Sequence, residues 1–411
     1  MGGSKNQLKN EIESAVLFTL QKDVNARQLP TIENWPAVCD FLVSRKLAGR
    51  FYRHAQTQDL LGLIPEAERE SLRQFYHLTA IKNKVLFTEL KRVWEGLESP
   101  LVNLVLLKGA SLILRGVYLP GERYQNDLDF LVRGVEKPEL RKQISGLNYH
   151  YVQHADQQDW SEENYVLEGS KGAGDVFTVF LEFHWTFRPI NRSGGQILAR
   201  DLWAGAEELR SDGRSYRIPS AELQFYQAGL HGSAHHPFDS GYFWVALMDL
   251  SALSEKLTLN PSAIIAFAES QGLAEHLGIM SYLLANKLGL LPELWEQLAG
   301  RNAQSRTLIE QTAQKIWQAL LNPRPVSLSH IIYLFAPTEA KNKRKAILEL
   351  AGLRKHGDAV SVDGVHLANP RPGFFYLLSH RVRALDWEFL KLVWQVAKFY
   401  RRVKVYFPWG G

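Results

Sequence analysis

The sequence predicts an α+β fold in which a small mixed β-sheet core lies between helical N-terminal and C-terminal regions. Apolar residues recur at helical spacing over residues 8–94. Short runs rich in apolar, β-branched and aromatic residues follow between residues 101 and 187. From Ser220 onwards the spacing is helical again, and we expect no further strands. These three observations divide the chain into residues 1–97, 98–218 and 219–411.

Composition sets wide limits on the class of protein. A chain of 411 residues that is 45% hydrophobic can build two or three domains with real cores. The net charge of +5 is too small and too dispersed to indicate a nucleic-acid partner by itself, although it permits an anionic ligand such as a nucleotide. Cys39 is the single cysteine, which excludes an internal disulfide framework and fits a reducing compartment, so we expect a cytoplasmic protein.

The N-terminal region reads as a set of helices separated by prolines. Asn34 and Trp35, directly before Pro36, are typical of a helix start. The first 14 residues are polar and lack the apolar core of a signal peptide, and no apolar run is long enough to cross a bilayer. A basic cluster lies in this region, and we interpret it as a solvated helix face in preference to a phosphate contact. Its members are Arg45, Lys46, Arg50 and Arg53.

A pair of acids lies at the centre of the chain. Residues 101–107 form a continuous apolar run typical of a strand buried on both faces, and a turn at Gly109 leads into a helix over residues 110–118. The next strand, over residues 128–132, carries Asp127 and Asp129. Residues two apart on a strand project from the same face, and adjacent carboxylates repel unless a cation lies between them. The pair therefore predicts a divalent metal site of the kind that suits magnesium.

A third carboxylate follows in a later strand. We expect a helix over residues 138–147 and strands over 149–152, 165–167 and 176–187. The last strand places Glu182 and His184 on one face. Ser220 is then a reasonable N-cap for the first C-terminal helix. The expected C-terminal helices cover residues 223–230, 245–257, 261–269, 278–287 and 307–321.

The order of these elements resembles the DNA polymerase β-like nucleotidyltransferase fold. More narrowly, the chain resembles the uncharacterised nucleotidyltransferase family found in bacteria, over roughly residues 10–260. Lys-Gly-x-x-Leu at residues 108–112 matches the family pattern, as does an arginine four residues before Asp-x-Asp. The remaining matching positions are Arg123, Asp127, Asp129, Glu182, His184, Trp185, His231, His235, Trp244 and Asp249.

The resemblance and the residues together imply metal-dependent transfer of a nucleoside monophosphate (NMP) from a nucleoside triphosphate (NTP), ATP among them. The acceptor is left open between an RNA end, a protein side chain and a small-molecule hydroxyl. Asp127, Asp129 and Glu182 are the expected catalytic carboxylates and the ligands of two Mg²⁺ or Mn²⁺ ions, and His184 and His231 are expected to support them from outside the metal ligand shell. The expected nucleotide-binding residues are Lys108, Gly109, Ser111 and Arg123.

Other interpretations remain open for the same residues. The two aspartates could pair with Arg123 and Arg133 in a purely structural role, and Glu182 with Arg188. His231, His235 and His236 could form a zinc site, although no cysteine or suitably spaced acid completes it. The basic amphipathic segment 387–406 could bind a membrane or RNA, but packing against the protein is favoured. The whole protein could be a non-catalytic nucleotide binder or a small-molecule phosphotransferase.

Overall fold

The N-terminal region is helical, as predicted. The computed structural model describes residues 2–21, 31–97, 102–152, 162–167, 178–187, 194–235, 240–301 and 303–321, with strands at 353–356, 359–362 and 365–367. Asn34 caps a helix at the predicted place, because its side chain accepts a hydrogen bond from the Ala37 N–H at 3.3 Å. The helices are α1 (Gly2–Leu20), α2 (Trp35–Ser44), α3 (Ala48–Thr57) and α4 (Glu66–Gly96), with a 3₁₀ turn at Leu61–Leu63.

The solvated helix face predicted for the basic cluster is wrong for two of its members. Arg45 and Arg50 are buried, at 6% and 3% exposure. The Arg50 guanidinium donates to the Thr19 carbonyl oxygen at 2.9 Å and to the Glu255 carboxylate at 2.7 Å. A buried arginine needs such partners, and here they join α3 to Thr19 of α1 and to Glu255 of the C-terminal region.

The core contains a five-stranded mixed sheet, which confirms the predicted α+β class. The strand order is β1-β2-β5-β4-β3, and the β2–β5 pair is parallel whereas its other pairs are antiparallel. The elements of the core are β1 (Asn103–Leu106), α5 (Lys108–Leu114), β2 (Asp127–Arg133), α6 (Lys137–Ser145), β3 (Tyr149–Val152), β4 (Glu162–Leu167), β5 (Phe180–His184), α7 (Gly194–Ala204), β6 (Ala206–Ser211) and β7 (Arg214–Pro219).

Two boundaries in the core differ from the prediction. Helix α5 ends at Leu114 instead of continuing to residue 118, and Gly116 adopts a left-handed backbone (φ 79°) that ends the helical path. Strand β5 is shorter than the predicted 176–187, of which residues 176–177 lie outside the described residues. The hairpin β6–β7 was not predicted, although its Asp212-Gly213 turn, with both φ values positive, is a common hairpin signature.

The C-terminal region is helical up to Leu320, and Ser220 caps its first helix by accepting from the Leu223 N–H at 3.4 Å. The expectation of no strands after Ser220 is wrong, because residues 353–356, 359–362 and 365–367 form the three strands of an antiparallel sheet. The middle strand, Ala-Val-Ser-Val, contains two β-branched valines. The predicted segment 387–406 lies outside the described residues. The elements are α8 (Ala221–Leu230), a π-helical turn (His231–His235), α9 (Ser240–Lys256), α10 (Pro261–Ser270), α11 (Ala274–Leu288), α12 (Pro292–Ala299), α13 (Ala303–Leu320), β8 (Leu353–His356), β9 (Ala359–Val362) and β10 (Val365–Leu367).

Two hydrophobic cores cover the two faces of the five-stranded sheet. On one face Phe130 and Phe183 stack at 5.0 Å and pack in a core with Leu86 of α4. On the other face Leu131 belongs to a larger core shared by helices from both ends of the chain, including Phe51 of α3 and Trp244 of α9. Each of these cores contains residues from more than one of the predicted segments 1–97, 98–218 and 219–411. The division into these segments stays a prediction. None of the helices in the described part of the chain is long and apolar enough to span a bilayer.

Helix α3 packs directly against the loop that precedes β2, and Gly49 allows the approach. A Cβ atom at Gly49 would overlap the Gly121 carbonyl oxygen and lie 3.1 Å from that of Glu122.

Because both neighbours are backbone atoms, we expect Gly49→Ala to lower the free energy of unfolding by about 1–3 kcal/mol, measured by urea denaturation. Gly62→Ala is the matched control, since nothing lies within 4 Å of its added Cβ. Equal stabilities of the two variants would contradict this packing.

Candidate active site

Strand pairing brings the predicted acids of two separate strands together. In the parallel pair β2–β5, Asp129 lies opposite Glu182, so both side chains project from the same face of the sheet. His184 lies two residues after Glu182 and therefore shares that face. We call Asp129, Glu182 and His184 the acid–histidine cluster.

The acid–histidine cluster is compact enough to hold a metal ion. His184 Nε2 lies 3.3 Å from Asp129 Oδ1 and 3.6 Å from Glu182 Oε2. One ligand atom from each of the three residues falls within 4.8 Å of the others. Asp129 and His184 are buried and Glu182 is half-buried, whereas His184 Nδ1 faces Glu162 Oε2 at 3.6 Å. A carboxylate next to the second ring nitrogen is a common way to orient a ligating histidine.

Lys108 points into the acid–histidine cluster. Its Nζ atom lies 2.5 Å from Asp129 Oδ1 and 3.4 Å from Glu182 Oε2. Lys108 is also the first residue of α5 and has a left-handed backbone (φ 49°), which costs a non-glycine residue free energy and is typical of functional sites. In this structure Lys108, which we predicted to bind phosphate, therefore pairs with the two carboxylates of Asp129 and Glu182.

The pKa values follow from this mutual pairing. Burial raises the pKa of Asp129 to about 7, and the positive charge of Lys108 opposes that rise. Burial would also raise the pKa of Glu182, but Lys108 and His184 outweigh it and hold that pKa well below its usual range. Burial would lower the pKa of His184, yet the Glu182 charge and the hydrogen bond to Asp129 raise it to about 9. Near neutral pH the positive charges of Lys108 and His184 thus lie against the ionised Glu182 and against Asp129, whose pKa falls in that range.

The structure gathers a different ligand set from the predicted one. Asp129 and Glu182 come together as expected, but the third member is His184, which we had predicted to lie outside the ligand shell. Asp127 is half-buried at the start of β2, and its negative charge acts on Lys108 and Asp129. The metal-ligand and catalytic roles of Asp127, Asp129 and Glu182 stay predictions.

Hydrogen bonds of the Ser111 side chain hold the turn between β1 and α5 in place. The Ser111 hydroxyl is fully buried, donates to the Lys108 carbonyl oxygen at 2.8 Å and accepts from Gln224 Nε2 at 2.8 Å. Those bonds occupy the hydroxyl that we predicted to contact the nucleotide. At Gly109 a Cβ atom would overlap Gln125 Oε1, so a larger residue there would displace the end of the Gln125 side chain.

Arg123 pairs with a carboxylate from a distant helix. Its Nε and Nη2 atoms donate to Asp249 Oδ1 and Oδ2 of α9, each at 2.9 Å, and the Tyr118 hydroxyl also donates to Asp249 Oδ1 at 2.9 Å. Although burial opposes it, the Asp249 charge raises the pKa of Arg123. The carboxylate that Arg123 pairs with is Asp249 and not Asp127 or Asp129, and its predicted contact with phosphate stays a prediction. Asp249 had been identified only through the family pattern, without a role.

Helix α4 holds the other side of the same loop. Asn83 Nδ2 donates to the carbonyl oxygens of Pro120 and Arg123 at 2.6 and 2.8 Å, and Lys82 Nζ donates to Asn126 Oδ1 at 2.6 Å. We call residues 118–126 the clamped loop, because side chains of α4 and of α9 bind it from two sides. Asp127, the first residue of β2, follows directly after this loop.

His231 begins the π-helical turn, and its ring contacts Tyr242 edge-on, with ring centroids 5.2 Å apart. The side chains of His235 and His236 lie outside the described residues, so the zinc alternative stays a prediction. Within the described chain, the acid–histidine cluster is the one grouping of at least three histidine, cysteine or acidic side chains that could hold a metal ion.

Comparison with known proteins identifies the family. The model of the family described as "Uncharacterised nucleotidyltransferase" matches residues 32–289, more than half of the 411-residue chain. The chain belongs to this family, which confirms the predicted resemblance. Membership indicates transferase activity on a nucleotide substrate and does not name the acceptor.

Similarity beyond the family is weak. A solved structure of an antigenic nucleotidyltransferase-like protein from Paracoccidioides brasiliensis matches with 16% sequence identity and a TM-score of 0.34, covering 53% of this chain and 91% of that chain. This TM-score is too low for the likeness to carry an argument about fold or function. No curated protein matches the chain.

The Arg123–Asp249 pair predicts a large effect on stability. Asp249→Ala leaves a buried guanidinium without its carboxylate, so we expect the free energy of unfolding to fall by about 3–5 kcal/mol, measured by guanidinium denaturation. Arg123→Met combined with Asp249→Leu should recover part of this loss, because no unpaired charge remains.

The control for Asp249→Ala removes an exposed ion pair. Glu70 pairs with Arg73 on the surface of α4, at 2.7 Å. We expect Glu70→Ala to leave the denaturation midpoint nearly unchanged, because solvent screens that pair. An Asp249→Ala variant as stable as Glu70→Ala would show that the buried pair does not hold the clamped loop.

Proposed function

We propose that this member of the nucleotidyltransferase family transfers an NMP from an NTP to an acceptor hydroxyl on an RNA end, a protein or a small molecule. The acceptor oxygen bonds to the α-phosphorus as the bond from that phosphorus to pyrophosphate breaks, so pyrophosphate leaves and the hydroxyl proton passes to solvent. The acid–histidine cluster is the observation that supports the proposal most directly. Its ligand atoms lie within 4.8 Å of one another on two neighbouring strands, and Asp127 lies two residues before Asp129 on the same strand face. Carboxylate oxygens gathered this closely on neighbouring strands are the donors that a divalent ion needs for metal-dependent transfer.

The chemistry of the donor atoms fits a divalent cation. Asp129 and Glu182 offer carboxylate oxygens, and His184 would offer an imidazole nitrogen once a bound cation had displaced its proton. Oxygen donors suit Mg²⁺ and Mn²⁺, and an imidazole among them shifts the preference from Mg²⁺ towards Mn²⁺. Asp127, Asp129 and Glu182 would hold the metal, with His184 completing the set. A bound divalent ion would supply charge for the phosphates and lower the pKa of an acceptor hydroxyl.

The residues of the chain have separable roles in this proposal. Glu182 has a strongly lowered pKa, so it is ionised at neutral pH and suits metal binding better than accepting a proton. Lys108 carries a positive charge at the carboxylates, and its flexible stem allows it to serve as a point charge for a phosphate. The clamped loop fixes the position of Asp127 relative to both.

Carboxamide substitutions test the proposal. Asp127→Asn and Asp129→Asn keep the size of each side chain and remove the charge, so we expect metal-dependent NTP consumption to fall at least about a hundredfold. Circular dichroism should show an intact fold in both variants. The assay incubates each α-labelled NTP with Mg²⁺ or Mn²⁺ and cell extract, and nuclease or protease treatment then identifies the labelled acceptor.

Asp212→Asn is the matched control for these variants. Asp212 lies in the turn of the β6–β7 hairpin with 62% of its side chain exposed, so its substitution should leave NTP consumption unchanged. Retained transfer in both Asp127→Asn and Asp129→Asn would contradict the proposed chemistry.

One observation favours a second candidate, a non-catalytic nucleotide binder with a degenerate transferase fold. Lys108 Nζ already lies against Asp129 and Glu182, so the carboxylates have a cation of the protein's own. A thermal-shift series of the four NTPs separates the candidates: stabilisation that ignores Mg²⁺ favours the binder, and metal-dependent stabilisation favours the enzyme. Phosphotransfer to a small molecule uses the same metal chemistry, and the mass added to the acceptor distinguishes it.

A further inference from the structure

Half of the sheet face that carries the acids lies outside the two hydrophobic cores. Strands β1 and β2 place Val105 and Leu131 of the larger core on this face. On β4 and β5, the residues that project from the same face alternate with residues such as Tyr165 and Phe183 of the other core, and none of the described ones belongs to either core. They are Glu162, Asn164, Val166, Phe180, Glu182 and His184. The site face therefore continues from the acid–histidine cluster onto β4.

Phe180 places an exposed aromatic ring on this face. It lies directly opposite Asp127 in the β2–β5 pair and two residues before Glu182 on β5. It is 40% exposed, and within the described chain no other aromatic ring packs against it. A single exposed apolar residue is ordinary on a protein surface, but this ring projects beside carboxylates that we expect to bind metal. It is therefore placed to contact a ligand of the site.

Asn164 adds a hydrogen-bonding group next to the ring. It lies opposite Glu182 in the β4–β5 pair and diagonal to Phe180, a relation that separates Cα atoms by about 7–8 Å. Asn164 is half-buried, and its side-chain amide has no hydrogen-bond partner among the described residues. An amide has donor and acceptor atoms, so it can pair with a ligand edge that carries both.

The charges around Phe180 and Asn164 favour an uncharged ligand group. Among the described residues, β4 and β5 present no lysine or arginine on this face, and Glu162 and Glu182 lie beside Asn164. These acids repel a phosphate or a carboxylate. An aromatic ring and an amide instead fit an uncharged planar ring with donors and acceptors on its edge, which is the chemistry of a nucleobase.

We propose that Phe180 and Asn164 bind the terminal base of a single-stranded RNA that is the acceptor of the transfer, and we call these two residues the base platform. This inference rests on the proposed function. Of the three acceptor classes left open, only an RNA end always carries a base next to the reacting hydroxyl. Phe180 stacks on that base whatever its identity, and Asn164 bonds to its edge.

The position of the base platform fits the acceptor better than the NTP. The predicted nucleotide-binding turn at residues 108–111 follows β1, and the acids of β2 and β5 lie between this turn and β4. In an in-line transfer, the leaving pyrophosphate and the attacking hydroxyl lie on opposite sides of the α-phosphorus. Phosphates held on the β1 side therefore place the acceptor hydroxyl on the side of the base platform.

Fluorescence anisotropy of a 5′-labelled RNA hexanucleotide, in Mg²⁺ and without NTP, tests the base platform. We expect Phe180→Ala to weaken RNA binding about five- to a hundredfold, because it removes the stacking surface. Phe180→Trp keeps a ring and should retain most of the affinity. Asn164→Ala should weaken binding about two- to tenfold, because one hydrogen bond is lost.

A second RNA probe shows what the ring contacts. It is the same hexanucleotide with an abasic 3′-terminal residue. We expect wild-type protein to bind it as weakly as Phe180→Ala binds the complete RNA, and Phe180→Ala to bind both probes equally, because the ring and the base form one contact. Independent and fully additive losses would overturn the base platform.

Tyr151→Ala is the matched control. Tyr151 is also 40% exposed on the same sheet, but it lies opposite Tyr165 and so projects from the other face. RNA affinity should be unchanged in this variant. Because Phe180 belongs to neither core, Phe180→Ala should keep the wild-type midpoint in urea. If Tyr151→Ala weakened binding as much as Phe180→Ala did, the base platform would be wrong.

The binding measurements keep the two proposals apart. RNA binding that depends on Phe180, in a protein that transfers no nucleotide, would contradict the proposed function and support the base platform. An active transferase that does not bind the hexanucleotide, that labels only protein, or whose Phe180→Ala variant binds RNA as the wild type does would overturn the base platform. A loss of Mg²⁺–ATP affinity in Phe180→Ala with RNA affinity unchanged would overturn it as well, because the ring would then contact the base of the NTP.

Discussion

The in-register parallel pairing of β2 with β5 is the constraint on which the candidate site depends. It sets Asp129 directly opposite Glu182 on one sheet face, where Val105 and Leu131 belong to the larger hydrophobic core. Two carboxylates in such a place repel each other and lose their hydration. Lys108 and His184 offset that cost, since both bear positive charge and both contact the two acids.

The pairing explains local features that would otherwise be unfavourable. Lys108 adopts a left-handed backbone at the start of α5, where its side chain reaches the acids. Ser111 is turned inwards to the Lys108 carbonyl oxygen and to Gln224, which ties α5 to α8. Strain and buried polar groups of this kind persist only where the surroundings compensate for them, and they concentrate at functional sites.

The clamped loop links the site to both helical regions. Asn83 and Lys82 of α4 donate hydrogen bonds to the loop, and Asp249 of α9 binds it through Arg123. Around this loop Lys108 pairs with Asp129, Arg123 pairs with Asp249, and Lys46 and Lys82 both lie over the ring of Tyr124.

Local patterns in the sequence determined the strands of the five-stranded sheet, the helix caps at Asn34 and Ser220 and the faces on which the acids lie. Two-residue spacing alone places Asp127 with Asp129 and Glu182 with His184, and the caps at Asn34 and Ser220 depend on bonds to residues three positions away. Only the tertiary structure decided which partner each charged group has. His184 reaches Asp129 across 55 residues, and Arg123 reaches Asp249 across 126. Periodicity reports which face of an element is buried, but the choice among distant partners depends on how the elements pack.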